Sequence, residues 1–279
     1  MFFNRFFTSI FLIVLLISII FYLPNVCFWL SSLTLCLLAQ SEFYEMFRKK
    51  GLHPFKKYGL FAGFVIITIQ YLIFQHSWLG QFKESLLLIM VIIMIGLIVR
   101  VLFQFEHVQP LTNMATTVAG VIYIPWLFCF LIKIRFLYVA HGKWYILMLF
   151  CISKFTDIMA YVSGSLLGRH KLAPMISAKK TIEGSIGGLC GAILAGILLK
   201  LSFAGIYQVF SWSQLLILTI VLGVFGQVGD LFESALKRDA GIKDSGQLFP
   251  GMGGALDVID SLLVVSPMMY LMLVFFNIQ

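Results

Sequence analysis

Residues 212–261 read WSQLLILTIVLGVFGQVGDLFESALKRDAGIKDSGQLFPGMGGALDVIDS. Up to Gly229 the stretch carries no charge. Apolar runs approaching the ~20 residues needed to cross a bilayer read as membrane-spanning helices. Then the character changes. Asp230, Glu233, Asp239, Asp244, Asp257 and Asp260 follow, six of only twelve acids in 279 residues. Lys237, Arg238 and Lys243 lie among them, and a Pro-Gly-x-Gly-Gly turn spans 250–254. A chain this poor in charge does not gather both signs in one place for solubility alone. The stretch reads as a surface that binds divalent metal and phosphate, carried on a lipid-embedded frame.

The rest of the chain supplies that frame. It is 61% hydrophobic and 11% charged, with a mean hydropathy of +1.00. A soluble domain carries about 25% charged residues. The fold class expected is all-α: a polytopic integral membrane protein with about nine transmembrane helices and no separate soluble domain. The candidate spans lie near 6–23, 25–41, 58–75, 85–104, 112–132, 144–167, 184–203, 212–230 and 259–277. Ser31 and Ser32 interrupt the second. A transmembrane barrel would alternate polar and apolar residues, and these runs are apolar on every face. Two regions are expected: N-terminal helices over 1–143 and a C-terminal catalytic region over 144–279, with loops near 168–183 and 230–258.

Positive charge sets the orientation. With the N-terminus inside, the inner segments hold Arg5, the Arg48–Lys57 cluster, Arg169, Lys171, Lys179, Lys180, Lys237, Arg238 and Lys243. Fewer basic residues fall outside, mainly at Lys133–Lys143. That bias favours a cytoplasmic N-terminus. It also puts 168–183 and 230–258 on the same, cytoplasmic, side, where two distant segments can share one site. The net charge of +8 reflects this asymmetry and suits an anionic lipid surface. Basic residues scattered among short loops exclude nucleic acid as a partner. The five cysteines form no CxxC and read as core residues.

Within the charged stretch, Asp257 and Asp260 are spaced to share one helix face. Two such carboxylates near a membrane call for a neutralising cation, and oxygen-only ligands suit Mg²⁺. Asp257 would also cap a helix N-terminus. Asp230 is the better ligand candidate of its pair, because Glu233 has Lys237 at i,i+4. The glycine backbone, including Gly253 and Gly254, could bring N–H groups to a phosphate. Upstream, Asp157 lies in an apolar span one turn from Lys154, an ionisable pair that marks a functional candidate. Lys179, Lys180 and Thr181 offer cations and a hydroxyl beside a helix N-terminus, a setting that favours phosphate. Gly184, Gly187, Gly188, Gly191 and Gly196 read as close helix packing. Glu42 and Glu45 precede a basic loop, and nothing in the sequence fixes their role.

Together these segments resemble the phosphatidate cytidylyltransferase (CDP-diacylglycerol synthase) family. The resemblance rests on Ser234-x-x-Lys237-Arg238, then Lys243-Asp244, then Pro250-Gly-Met252-Gly253-Gly254-x-x-Asp257-Val258-x-Asp260. Upstream it rests on Asp157-x-x-Ala-Tyr161 and on His170-Lys-Leu through Lys179-Lys180-Thr181-x-Glu183-Gly184. It covers roughly 154–262. Two positions depart from the family pattern: Met252 replaces a histidine and Val258 an arginine.

The resemblance implies cytidylyl transfer from CTP to phosphatidate with Mg²⁺. Lys237, Arg238, Lys243 and Asp244 would then be catalytic. Asp157, Tyr161, Lys179, Lys180, Thr181, Glu183, Ser234, Gly253 and Gly254 would bind substrate. Asp230, Asp244, Asp257 and Asp260 would hold metal. The expected partners are CTP, phosphatidate and the lipid bilayer, with a homodimer left open, and the expected home is the bacterial inner (cell) membrane. Alternative readings are an enzyme using another lipid phosphate, a non-catalytic membrane protein and a transporter.

Overall fold

The computed structural model describes residues 13–75, 85–103, 109–138, 140–203, 206, 209–249 and 253–278. Among them, seven helices are long and apolar enough to cross a membrane. The expected span at 6–23 begins outside the described residues, and only 13–21 are seen as helix. The interruption expected at Ser31 and Ser32 is absent. Helix α1 runs unbroken over Asn25–Lys49, because Ser31 Oγ folds its hydrogen bond back onto Phe28 O (3.0 Å) and Ser32 is buried. The chain divides into two compact units, residues 1–136 with 240–258, and 137–239 with 259–279.

The first unit contains α1, α2 (Lys56–Gln75), α3 (Ser85–Phe103) and α4 (Pro110–Val121). A π-helical turn, Ile122–Trp126, follows and leads into α5 (Leu127–Leu137). Pro125 sits inside that turn. A proline has no N–H to return to the ladder, and a widened turn absorbs the mismatch. A buried polar knot pins these helices. Gln40 Nε2 donates to Gly59 O (2.9 Å) and Tyr44 OH (3.1 Å), and Tyr44 OH donates to Thr117 O (3.0 Å). Thr117 Oγ1 in turn accepts from Phe55 N (2.8 Å). Buried hydrogen bonds cost dearly when broken in an apolar interior, so this knot fixes helix register. Gly120 makes room for the Tyr44 ring, since a Cβ there would come within 2.5 Å of it.

The second unit contains α6 (Gly142–Leu167), α7 (Ile182–Ser202), α8 (Trp212–Asp239) and the body of α9 (Ala255–Phe275). The helical frame carries one small addition between α6 and α7. Strands β1 (Lys171–Ala173) and β2 (Ser177–Thr181) form a small antiparallel hairpin, pairing Lys171 with Thr181 and Ala173 with Ser177. Helices α6 and α7 make the most extensive packing in the unit, and the glycines explain it. A Cβ on Gly191 would lie 2.6 Å from Met159 Cβ, and one on Gly184 would lie 2.8 Å from Ala160 O. Bare backbone lets the two helices touch where any side chain would hold them apart.

The sequence reading ended the eighth span near 230 and began the last at 259. Both helices are longer. Helix α8 continues to Asp239, because Glu233 and Lys237 pair one turn apart (2.5 Å) with Glu233 buried. Helix α9 begins at Ala255, so Asp257 falls in its first turn. Among the described residues, the segment expected as a loop over 230–258 is therefore non-helical only at 240–249 and 253–254.

Candidate active site

In the second unit, the hairpin and the facing turns of α6, α7 and α8 enclose a cavity of about 420 Å³. Thr181 closes β2 and caps α7: its Oγ1 accepts from Gly184 N (3.1 Å). Gly164 keeps α6 clear, since a Cβ there would lie 3.0 Å from Thr181 Oγ1. The hairpin is thus set directly on the start of α7. Two further contacts fix it. The Glu183 carboxylate accepts from the backbone N–H groups of Arg169 (3.1 Å) and His170 (3.2 Å), and meets His170 Nδ1 at 2.6 Å. Arg238 Nε, near the end of α8, donates to Ile176 O (3.4 Å).

Six of the expected site residues line this cavity: Asp157, Tyr161, Lys179, Lys180, Thr181 and Asp230. Lys180 Nζ stands 2.6 Å from Asp230 Oδ2, tying β2 to α8. Lys154 pairs with Asp157 at 3.4 Å on α6. Asp260 is buried, and Ser261 N donates to its Oδ1 (2.5 Å). Asp260 lies within the electrostatic reach of Asp230, Lys154 and Asp157. Gly229 permits this approach, for a Cβ there would lie 3.0 Å from Asp260 O. Lysines and carboxylates therefore face one another across a half-buried space, where charge is screened less than in water.

Other expected residues lie elsewhere. Ser234, Lys237, Arg238 and Glu183 do not line the cavity. Lys237 is held by Glu233, and Glu183 grips the base of the hairpin. Ser185 and Gln227 are among the lining residues that the sequence reading did not single out. Ser185 Oγ bonds Gln227 Oε1, and Gln227 Nε2 donates back to Ser185 O (3.1 Å). A neutral, half-buried Ser–Gln pair carries no signal in sequence.

The first unit holds the rest of the signature, on 240–254. Lys243 and Asp244 are exposed there. Asp257 Oδ2 accepts from Ser245 N (3.0 Å), Ser245 Oγ (2.8 Å) and Gly254 N (2.7 Å). Gly253 N donates to Phe249 O (3.2 Å). The N–H groups of Gly253 and Gly254, expected to face a phosphate, are thus spent inside the loop. Gly253 has φ +101°, a backbone conformation that favours glycine. The side chain of Glu42 enters the same loop from α1. Its carboxylate accepts from Ala255 N (2.9 Å) and Leu256 N (2.9 Å), and shares the single hydroxyl proton of Ser245 with Asp257 (2.8 Å). Val258 is half-buried, and the Met252 departure lies outside the described residues.

Among the described residues, no three His, Cys, Asp or Glu side chains stand close enough together to enclose a metal ion. Mg²⁺ asks for less than that in phosphoryl chemistry. One or two carboxylates suffice, with substrate phosphates and water completing its shell. The hard oxygen donors of Asp230 and Asp260, with Asp157 nearby, fit such a partial set.

The sequence pattern of the cytidylyltransferase family matches residues 3–276. This chain belongs to that family. The phosphatidate cytidylyltransferase of Bacillus subtilis is 35% identical over 243 residues, covering 84% of this chain and 85% of that protein. The phosphatidate cytidylyltransferase of Staphylococcus saprophyticus is 34% identical over 216 residues, 77% of this chain and 79% of its own. That of Staphylococcus aureus is 37% identical over 216 residues, 76% and 77% of the two chains.

Proposed function

We propose that this member of the cytidylyltransferase family transfers a cytidylyl group from CTP to phosphatidate, at the cytoplasmic face of a bacterial membrane. A phosphate oxygen of the lipid attacks the α-phosphorus of CTP. The bond from that phosphorus to the bridging oxygen of the β-phosphate breaks, and pyrophosphate leaves. The nucleophile is already anionic near neutral pH, so no strong general base is needed. The barrier is the meeting of two polyanions.

One observation carries the reading: the cavity sets Lys179 and Lys180 beside Asp157 and Asp230 at one end of apolar helices. Lys180, aligned by Asp230, is positioned to meet phosphate oxygens, and Lys179 adds a second cation. Positioned cations in a partly dry site stabilise developing negative charge without reorganising. Thr181 caps α7 and lines the same space. Tyr161, Leu172 and Leu231 supply an apolar wall suited to a lipid substrate. Asp230 and Asp260 would hold Mg²⁺. When bound, that ion would neutralise phosphate charge and favour departure of pyrophosphate.

In this reading Asp257 holds the signature loop through its three donors, and Lys237 secures the end of α8 through Glu233. Arg238 contacts phosphate, and Lys243 and Asp244 keep the roles that the family pattern implies, the lysine toward phosphate and the carboxylate toward metal. The test is incorporation of radiolabelled CTP into lipid by the purified protein in phosphatidate-containing micelles. Mg²⁺-dependent CDP-diacylglycerol is the expected product. Labelling of a different lipid phosphate in preference would redirect the substrate. No labelled product from folded protein, beside an active control enzyme, would overturn the reading.

A further inference from the structure

The N-terminal helices look like mere scaffold, yet one of their side chains reaches the signature loop. Glu42, on α1, sends its carboxylate into the start of α9. Oε1 accepts from Ala255 N (2.9 Å), and Oε2 accepts from Leu256 N (2.9 Å) and lies 2.8 Å from Ser245 Oγ. The N–H groups at a helix start have no partner within the helix, and they attract negative charge. Glu42 therefore serves α9 as a cap brought in from more than 200 residues away in sequence.

The loop is shaped around this carboxylate. A Cβ on Gly246 would come within 2.5 Å of Glu42 Oε1, and one on Gly254 within 2.6 Å of Glu42 Cδ. Both glycines leave the volume that Glu42 fills. Ser245 ties the other side, with Oγ 2.8 Å from Glu42 and 2.8 Å from Asp257. Lys243 and Asp244 immediately precede Ser245, and both are exposed. Their placement follows from how firmly Ser245 is anchored.

We infer that Glu42 is a positioning residue for the transfer reaction: it clamps Ser245 and the start of α9, and with them the backbone that carries Lys243 and Asp244. This rests on the reaction proposed above. Glu42→Gln keeps the size of the side chain. It loses the charge, and it turns an NH₂ group toward N–H or O–H donors whichever way the amide is set.

The test compares Glu42→Gln, Ser245→Ala and Glu45→Gln with the parent protein in phosphatidate micelles. Two quantities are read: kcat and KM for CTP, and deuterium uptake of peptides covering 240–254 and 171–181. Glu42→Gln is expected to raise the KM for CTP about tenfold or more, the scale of a lost charge-assisted hydrogen bond, with a smaller fall in kcat. Uptake rises over 240–254 and stays unchanged in the hairpin at 171–181. Ser245→Ala moves both readouts the same way, less far. Glu45→Gln, whose exposed carboxylate pairs with Arg48 (3.2 Å) and Lys56 (2.7 Å), leaves both unchanged.

Parent-like KM in Glu42→Gln would overturn the inference. So would uptake that rises evenly through the chain, the mark of a purely structural role. If the parent protein itself makes no product, the reaction proposed above fails, and the uptake of 240–254 alone then decides whether Glu42 clamps the loop.

Discussion

Lys180 Nζ and Asp230 Oδ2 stand 2.6 Å apart and join the hairpin to α8 across the cavity. A surface ion pair contributes little stability, typically under about 1 kcal/mol. Both residues are only about one-third exposed or less, and both face the space where two polyanions must meet. The pair is thus better placed to align a cation than to hold the fold.

That distinction is measurable. Lys180→Ala should lower kcat/KM for CTP about a hundredfold, comparable with loss of one transition-state donor, with Tm little changed. The charge-swapped double variant, Lys180→Asp with Asp230→Lys, restores attraction between hairpin and helix but reverses the site. It should remain as inactive as the single variants. Recovery of turnover in the swap would mean that the pair serves only to hold the two elements together.

Glu233 and Lys237 present the opposite case. They lie at 2.5 Å with Glu233 almost wholly buried. Removing one partner of a buried pair costs about 3–5 kcal/mol, because the remaining charge is stranded. Glu233→Ala should therefore lower Tm sharply. The double variant Glu233→Gln with Lys237→Met should regain much of that loss. If Glu233→Ala melts with the parent protein, the pair does not secure the end of α8.

Most of the frame was legible because hydrophobic length is a one-dimensional property. The spans at 58–75, 144–167 and 184–203 match α2, α6 and α7 closely. The charged ends were harder. Asp230 through Asp239 looked like loop, yet pairing within one helix turn keeps α8 wound to Asp239. The cavity-lining residues of the hairpin and of α6 were visible as charges and hydroxyls in apolar surroundings. Glu42 was visible only as one of two acids before a basic loop. Its partners are Ser245, Ala255 and Leu256, and contacts at that separation leave no spacing to read. For the same reason Gly254 was assigned to phosphate, when its nearest neighbour is the Glu42 carboxylate.

The glycine seam between α6 and α7 predicts a packing defect. Gly191→Val would drive a branched side chain into Met159 Cβ and Phe155 O, 2.6 and 2.8 Å from the Cβ position. Overpacking of this kind costs about 1–3 kcal/mol. Tm should fall, and activity should fall with it because the hairpin stands on the start of α7. Gly51→Ala is the control in open space: no atom lies within 4 Å of a Cβ there, although its φ of +90° imposes backbone strain. It should lower Tm by less. A Gly191→Val protein as stable as the parent would show that the helices can part without cost.

Metal dependence separates the carboxylates by role. Asp230 and Asp260 belong to the same unit, and Asp260 is buried within electrostatic reach of Asp230. Asp257 spends one oxygen on three donors in the loop. If Asp260 binds Mg²⁺, Asp260→Asn raises the Mg²⁺ concentration needed for half-maximal turnover about tenfold or more, the scale seen when a charged ligand interaction is lost. Asp257→Asn should act differently, because an amide oxygen can still meet the three donors but without the charge that strengthens those bonds. It should raise deuterium uptake over 240–254 and leave the Mg²⁺ requirement close to that of the parent. Titrating MgCl₂ after chelator treatment, at saturating CTP, reads both variants on one scale. A requirement shifted by Asp257→Asn and untouched by Asp260→Asn would reverse the assignment, and it would put the metal ligand on the loop rather than on the buried turn of α9.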